Sequence, residues 1–168
     1  MYKDMCYKYC DYIIRKYNSL NENKYPLSNK RLQKILFVAS VIFSRNNNGE
    51  KMFSDNFEAW DYGPVIPEVY DSYSIFQFGK MYPLFIPKQI GNSEQNALDE
   101  AFEVTADIPT EILIENAHEK DSPWYQTYLS NESNPLVKKY HVIDHRLISK
   151  YYSNEDNYRK LIRKIKQN

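Results

Sequence analysis

The sequence predicts a mainly α (α+β) fold, a compact multi-helix single domain around a central apolar helix at about 29–45. Three observations support this. Apolar residues recur at helical spacing in several segments, one of these segments is apolar on nearly all sides, and strand character is confined to short stretches. A length of 168 residues is typical of one domain. A small β hairpin or short sheet, at about 51–62 and 82–88, completes the prediction.

The first part of the chain contains two predicted helices. From Asp4 to about Leu20, a helical spacing builds one apolar stripe. Ser28 is a natural N-cap for the next helix, about Asn29–Arg45, because its hydroxyl can accept from the free backbone N–H groups of the first turn. That helix is apolar on most sides, which indicates a central position in the core.

The segment after the central helix has the punctuation of a small β element. Asn46-Asn47-Asn48-Gly49 ends the helix, and 51–60 is predicted to form a short hairpin around Ser54-Asp55-Asn56. The segment 82–88 contains two prolines, which cannot donate to a sheet ladder. It is therefore predicted to be an edge strand or an extended loop.

Residues 57–70, with the sequence FEAWDYGPVIPEVY, organise the rest of the chain. They predict a short strand, then a fixed corner at Tyr62-Gly63-Pro64, then a helix start. The corner is expected because glycine adopts backbone angles closed to other residues and proline restricts the residue before it. Pro67 suits the first position of a helix that runs to about Gln77, because its missing N–H costs nothing there.

The second part of the chain is predicted to be helical. Ser93–Thr105 is amphipathic, Pro109 starts another helix, and Ser122-Pro123-Trp124 is typical of the cap, first residue and anchor of a short helix to about Leu129. Asp144 is expected to cap a helix from His145 to Tyr152.

Residues 153–168 are predicted to form a C-terminal amphipathic basic helix. Its basic residues are expected to form a solvated face favoured by the helix dipole. Contact with phosphates and the rim of an interface with an acidic partner are the two alternatives. The basic residues are Arg159, Lys160, Arg163, Lys164 and Lys166.

Composition argues against several functional classes. Lys+Arg and Asp+Glu both total 22, so the zero net charge gives no general attraction to nucleic acid. No apolar run approaches the roughly 20 residues that span a bilayer, and the N-terminus lacks a signal-peptide core, so we expect no membrane partner and a cytoplasmic location. The 16 tyrosines are typical either of a protein interface or of an A·T-rich genome.

Few residues indicate catalysis. His118 is the most interesting titratable side chain, either as a catalytic base with Glu119 or Asp121 or, as we favour, as a histidine that locks a helix end. The Cys6-x3-Cys10 and His141-x3-His145 spacings permit a zinc hypothesis, but both cysteines also continue the apolar stripe. We predict no catalytic residue, no metal and no cofactor.

Three pieces of the sequence resemble the SocA-like antitoxin family, also called the Panacea domain. They are 32–37 (LQKILF), 59–65 (AWDYGPV) with its continuation 67–70 (PEVY), and His118 followed by Pro123-Trp124. Their order and spacing cover roughly Cys10 to Tyr152, and the chain is taken as a single SocA-like (Panacea) domain over 1–168. Phe37 departs from the family, in which tyrosine is expected more often.

The resemblance implies an antitoxin-like protein-binding module of a toxin–antitoxin system, which neutralises a cognate toxin by direct association. In this family some members are thought instead to deliver the toxin to a cellular protease. We interpret the two tryptophans as core residues and leave the tyrosines as either core or contact residues. The candidate partner-binding or motif residues are Trp60, Asp61, Tyr62, Gly63, Pro64, Tyr70, His118, Pro123 and Trp124.

Three alternatives remain open from the sequence. The first is a phage, prophage or mobile-element protein that counters a host defence by protein binding. The second is an enzyme that uses His118 with an acidic partner. A DNA-binding autorepressor is the third, against which the balanced charge counts.

Overall fold

The computed structural model describes residues 6–77, 79–130 and 140–165. Within these ranges the chain forms eight α-helices and one two-stranded sheet, which confirms the mainly α prediction with its small β element. A short 3₁₀ turn, Ser74–Phe76, follows the third helix. The elements are α1 (Tyr7–Ser19), α2 (Asn29–Asn46), β1 (Glu58–Trp60), β2 (Gly63–Val65), α3 (Pro67–Tyr73), α4 (Asn92–Thr105), α5 (Thr110–Ala117), α6 (Pro123–Ser130), α7 (His145–Tyr152) and α8 (Glu155–Leu161).

Helix α2 is the centre of the core, as predicted. Every residue from Arg31 to Ser44 is buried, and α2 packs against α1, α3, α4, α5, α7 and β2. The predicted cap is also present, since the Arg31 backbone N–H donates to the Ser28 hydroxyl over 3.1 Å. A helix surrounded in this way has to be apolar on nearly all sides, which explains its sequence.

The sheet is a tight antiparallel hairpin. Glu58 lies opposite Val65 and Trp60 lies opposite Gly63, so the chain reverses at Asp61-Tyr62. An extended segment covers the other edge of β1, where the Ile143 N–H donates to the Phe57 carbonyl over 2.8 Å. The hairpin is thereby fixed between α2 and the chain that leads into α7.

The strand and the helix start predicted for 57–70 are present as β1 and α3, but the predicted positions of the hairpin turn and of the corner are wrong. The turn is at Asp61-Tyr62, not at Ser54-Asp55-Asn56, and Gly63-Pro64 belongs to β2 rather than to a corner before the helix. Residues 51–56 form a loop. Its Asp55 carboxylate accepts from the Cys6 backbone N–H over 2.9 Å, which ties the loop to the start of α1.

Of the two alternatives for 82–88, the structure has the extended loop. The Asp11 carboxylate, which is buried, accepts from the backbone N–H groups of Leu84 and Phe85, each over 2.9 Å. The same carboxylate accepts from the Tyr73 hydroxyl over 2.7 Å. These amides bond to a side chain of α1, so this segment supplies no second strand.

The predicted C-terminal helix is shorter than 153–168. The Asp144 cap on α7 is confirmed, with the Arg146 N–H donating to its carboxylate over 2.9 Å. Helix α8, however, ends at Leu161. Its end is fixed by the Asn116 side-chain amide, which donates to the carbonyls of Leu161 and Arg163 over 3.0 and 2.8 Å.

The basic cluster of this helix is partly used in ion pairs. Arg163 pairs with Glu119, and Arg159 pairs with Glu155 over 3.2 Å. The interpretation of a uniformly solvated basic face is therefore wrong for Arg163, whose side chain is only 21% exposed. Lys166, which belongs to the predicted cluster, lies outside the described residues.

Candidate functional site

A pocket of about 200 Å³ lies where the β hairpin meets α2 and α3. Its floor is formed by Gln33 and Lys34 of α2, and its walls are aromatic. The hairpin segment 59–65 lines one side of the pocket. The residues that do so are Trp60, Asp61, Tyr62 and Val65. The segment that the sequence singles out therefore surrounds a cavity instead of forming only a corner.

Three aromatic rings form the walls. The Trp60 ring is stacked on Tyr140, with 5.3 Å between centroids and 23° between planes, and it is tilted against Tyr70 at the same distance. Its indole N–H donates to the Glu58 carboxylate over 3.1 Å. Trp60 is half-buried, so the prediction of a pure core residue does not hold for it.

The rim carries an exposed aromatic ring and a cation. Tyr62, at the hairpin turn, is 57% exposed. The Lys30 ammonium lies 3.7 Å from the centre of its ring, a cation–π contact that keeps both side chains at the mouth of the pocket. Tyr62 is thus exposed to solvent and held in a defined place.

Asp61 connects the hairpin turn to two other parts of the chain. Its carboxylate accepts from the Tyr128 hydroxyl of α6 over 2.6 Å and from the Tyr140 hydroxyl over 3.1 Å. Hydrogen bonds to an ionised acceptor are among the stronger ones in proteins. Asp61 therefore stabilises the turn and the Tyr140 wall together.

The floor residues fasten β2 to the central helix. The Lys34 ammonium donates to the Pro64 carbonyl over 2.9 Å, and the Ile66 backbone N–H donates to the Gln33 side-chain oxygen over 2.9 Å. Both side chains are buried. Two polar residues of an otherwise apolar stretch of α2 thus take over hydrogen bonds at the end of the short strand.

Gly63 is required by both its backbone and its neighbour. Its φ is +98°, a conformation that residues with a side chain rarely adopt. A Cβ at this position would lie 2.6 Å from the Lys34 Cε. The glycine lets the lysine chain cross the hairpin and reach the Pro64 carbonyl.

The charge of Lys34 is poorly compensated. Burial, and secondly repulsion by Lys30, lower the pKa of the Lys34 ammonium to about 7. Within the described ranges no carboxylate forms an ion pair with it. In the same part of the chain, the buried amide nitrogen of Gln33 has no hydrogen-bond acceptor. Buried donors without acceptors are uncommon and call for an explanation.

A second aromatic group lies behind the hairpin. Trp124 is sandwiched between His118 and Tyr128, with centroids 3.7 and 4.5 Å away and planes within 20°. Its indole N–H donates to the Trp60 carbonyl over 2.7 Å. Trp124 is buried, as predicted, and this hydrogen bond holds the backbone of Trp60, which forms a wall of the pocket.

His118 lies at the end of α5 and does not line the pocket. Its backbone N–H donates to the Ile114 and Glu115 carbonyls, which closes the helix. The neighbouring acid Glu119, a candidate partner for catalysis, is paired with Arg163 instead. Pro123 begins α6, as predicted, and carries Trp124 into the stack.

The part of the chain that the structure describes contains neither a metal-binding cluster nor a membrane-spanning helix. In residues 6–77, 79–130 and 140–165, no three His, Cys, Asp or Glu side chains are grouped closely enough to hold a metal ion. Cys6 and Cys10 are both buried, and the His145 ring lies 2.9 Å from the Gly49 carbonyl. Over the same residues, each helix is too short or too polar to pass through a bilayer.

Comparison with known protein families decides the classification. A family described as "Antitoxin SocA-like, Panacea domain" matches residues 32–125, more than half of the chain. This chain belongs to that family. The matched part of this Panacea domain begins in α2, ends in α6 and contains every candidate residue predicted from the sequence. No curated protein and no solved structure matches the chain.

At Phe37, the departure from the family, the ring is buried and packs edge-on against Phe57, with centroids 5.0 Å apart. It also makes an edge contact with Tyr152. In this Panacea domain the position is therefore filled by apolar aromatic packing.

The donors of the pocket floor and the Tyr140 wall were not predicted from the sequence. Gln33 and Lys34 lie in the segment 32–37 that resembles the family. Their signal was present, because polar residues inside a helix that is apolar on nearly all sides must be buried. Tyr140 had no such signal, since it reaches Trp60 from 80 positions away in the sequence.

Proposed function

We propose that this Panacea domain is an antitoxin-type module that neutralises a cognate toxin by binding it directly, with the pocket beside the hairpin at the centre of the contact. The observation that carries this proposal is the family match over 32–125, the segment that supplies most of the pocket. The sequence between the floor at Gln33 and the wall at Tyr70 lies entirely inside that match.

The chemistry of the pocket suits protein recognition. Tryptophan and tyrosine are enriched among the residues that dominate binding energy at interfaces. Tyr62 is exposed, Trp60 is half-buried, and both lie on a hairpin fixed by Asp61 and Lys34. A surface already held in its binding geometry loses little entropy on association.

Neutralisation would follow from coverage of the toxin. A standard interface buries about 800 Å² on each partner, so the pocket would be its centre and the adjoining surfaces of α2 and α3 its surroundings. Steric occlusion or conformational locking of the toxin needs only this contact. Delivery of the toxin to a cellular protease would need a further surface for the protease.

The proposal is tested by co-expression and co-purification with the product of the neighbouring gene. Tyr62→Ala should abolish protection and weaken binding by about 30-fold, the effect of losing a hot-spot side chain of about 2 kcal/mol. Tyr82→Ala is the matched control, since Tyr82 is 54% exposed, against 57% for Tyr62, and also lies near a lysine. It should behave as the wild type.

Two results would contradict the proposal. One is that no neighbouring product arrests growth or co-purifies. The other is that Tyr62→Ala and Tyr82→Ala protect equally well. Toxin abundance in the same cells separates the mechanisms, because occlusion leaves it constant whereas delivery to a protease lowers it.

A further inference from the structure

The floor of the pocket presents hydrogen-bond donors that lack acceptors. A lysine ammonium has three N–H donors, and among the described residues the Lys34 ammonium has one acceptor, the Pro64 carbonyl. The side-chain nitrogen of Gln33 has two donors and, in the same ranges, no acceptor. Both side chains line the pocket although their residues are almost entirely buried.

The orientation of the Gln33 amide is fixed by its partner. Its oxygen accepts from the Ile66 backbone N–H over 2.9 Å, and an N–H group can bond only to an acceptor. A flipped amide would place two donors against each other. The NH₂ group therefore points away from the Ile66 N–H, and Gln33 is one of the residues that line the pocket.

The charges around the cavity favour an anion. Lys30 at the rim and Lys34 at the floor are the cations among the lining residues. Among the described residues that line the cavity, Asp61 is the one carboxylate, and its two oxygens accept from Tyr128 and Tyr140. A buried ammonium is stabilised when an opposite charge with good hydrogen-bond geometry enters beside it.

The space and shape fit a small planar group. A volume of about 200 Å³ is well above the roughly 15 Å³ needed for one water molecule. The walls are the flat rings of Trp60, Tyr70 and Tyr140. A carboxylate is planar and accepts through two oxygens, which matches one ammonium and one amide nitrogen; a phosphate offers three oxygens and more charge.

We propose that this pocket receives one carboxylate side chain, aspartate or glutamate, of the protein that the domain binds, with the Lys34 ammonium and the Gln33 NH₂ group as its donors. This inference rests on the proposed function, because it assigns the carboxylate to the bound protein. Lys30 and Tyr62 at the rim would lie beside the backbone that carries the acid.

The first experiment uses small probes with the isotope-labelled full chain. The resonances of the Lys34 Cε group are followed by NMR during addition of N-acetyl-aspartate N-methylamide, its asparagine counterpart, and inorganic phosphate. We expect a saturable shift with the aspartate compound and none with the asparagine compound. Equal shifts with both, or a larger shift with phosphate, would overturn the assignment.

The second experiment changes one atom of the floor. Gln33→Glu keeps the oxygen that accepts from Ile66 but replaces the NH₂ group by a second oxygen, which can pair with Lys34 inside the pocket. We expect at least a tenfold loss of affinity for the aspartate compound. Lys34→Met provides a second variant that removes the cation, and Lys88→Met, at an exposed position, is the control that should bind as the wild type.

The inference and the proposed function can fail separately. If the toxin co-purifies equally with the wild type and Gln33→Glu, the carboxylate assignment fails while the proposed function stands. If the aspartate compound binds but no protein partner is found, the proposed function fails, and the assignment to a protein side chain fails with it.

Discussion

Two buried cations, Arg31 and Lys34, lie one turn apart on α2 and have opposite surroundings. Arg31 has no exposed surface and Lys34 has 2%. The Arg31 guanidinium bonds to acceptors along its whole edge, whereas the Lys34 ammonium has one protein acceptor among the described residues. The difference separates a cation that holds the fold from one that is available to a ligand.

The Arg31 region is a closed structural junction. The guanidinium donates to the carbonyls of Thr105 and Ile108, each over 2.7 Å, which fixes the end of α4 to the central helix. It also donates to the hydroxyls of Tyr17 and Thr110 over 2.8 and 3.2 Å. Arginine suits this task because its donors lie in a rigid planar fork.

The Lys34 region is open by comparison. The ammonium meets a cavity instead of four acceptors, and burial lowers its pKa to about 7. Buried ionisable groups with a perturbed pKa beside a cavity are typical of functional sites. Burial alone therefore does not identify a site; the number of hydrogen-bond acceptors around the buried charge does.

The largest expected effect is the loss of stability when Arg31 is replaced. Arg31→Met leaves four acceptors without their donor, at about 1–3 kcal/mol for each buried group, so the free energy of unfolding should fall by about 5 kcal/mol or more. Urea unfolding measures it. Arg159→Met, whose side chain is 72% exposed, should change stability by less than about 0.5 kcal/mol. Similar decreases in the free energy of unfolding for the two variants would contradict the role of Arg31 as a structural junction.

The next effect is on the open side and depends on pH. The unfolded lysine keeps its proton up to its ordinary pKa of 10.5, whereas burial makes folded Lys34 release it near 7. Between these values the unfolded state binds more protons, so wild-type stability rises with pH. The Lys34→Met variant has no lysine at this position, so its free energy of unfolding should not show this rise with pH. Its stability relative to the wild type should therefore be highest below pH 7 and decline towards pH 10.5.

The decline should approach about 5 kcal/mol over the whole window, at about 1.4 kcal/mol per pH unit. Urea unfolding of the wild type and Lys34→Met across this window measures it. Lys88→Met, at an exposed site, should show no such pH dependence relative to the wild type. A constant difference between Lys34→Met and the wild type would mean that Lys34 keeps an ordinary pKa.

The smallest effect concerns the glycine that lets Lys34 reach its place. Gly63→Ala forces a side chain into φ +98° and against the Lys34 Cε, so the free energy of unfolding should fall by about 1–3 kcal/mol. Gly79→Ala is the matched control, because a Cβ there meets no atom within 4 Å. Equal stability of the two variants in urea would show that the Lys34 path tolerates a side chain.

The fold was predictable where local chemistry decides it. Ser28 and Asp144 predict the starts of α2 and α7, because a short polar side chain before an apolar run caps free N–H groups. The loop at 82–88 was not predictable, since the backbone N–H groups of Leu84 and Phe85 donate to the distant Asp11 carboxylate and not to a neighbouring strand. Such tertiary bonds leave no periodic pattern in the sequence.

The candidate site was half predictable. The aromatic and glycine residues of 60–64 stood out through their turn chemistry and family resemblance. The floor did not, because Lys34 and Gln33 acquire their meaning from Pro64 and Ile66, about 30 positions later in the chain. Whether a polar residue in a buried helix has partners or lacks them is a property of packing.

The pKa of the Lys34 side chain in the free protein, measured by NMR titration of its Cε and Hε resonances, decides whether its charge lacks compensation. We expect a value near 7, which rises when N-acetyl-aspartate N-methylamide occupies the pocket. A value near the ordinary 10.5 in the free protein would contradict it, because the cation would then already be compensated without a ligand.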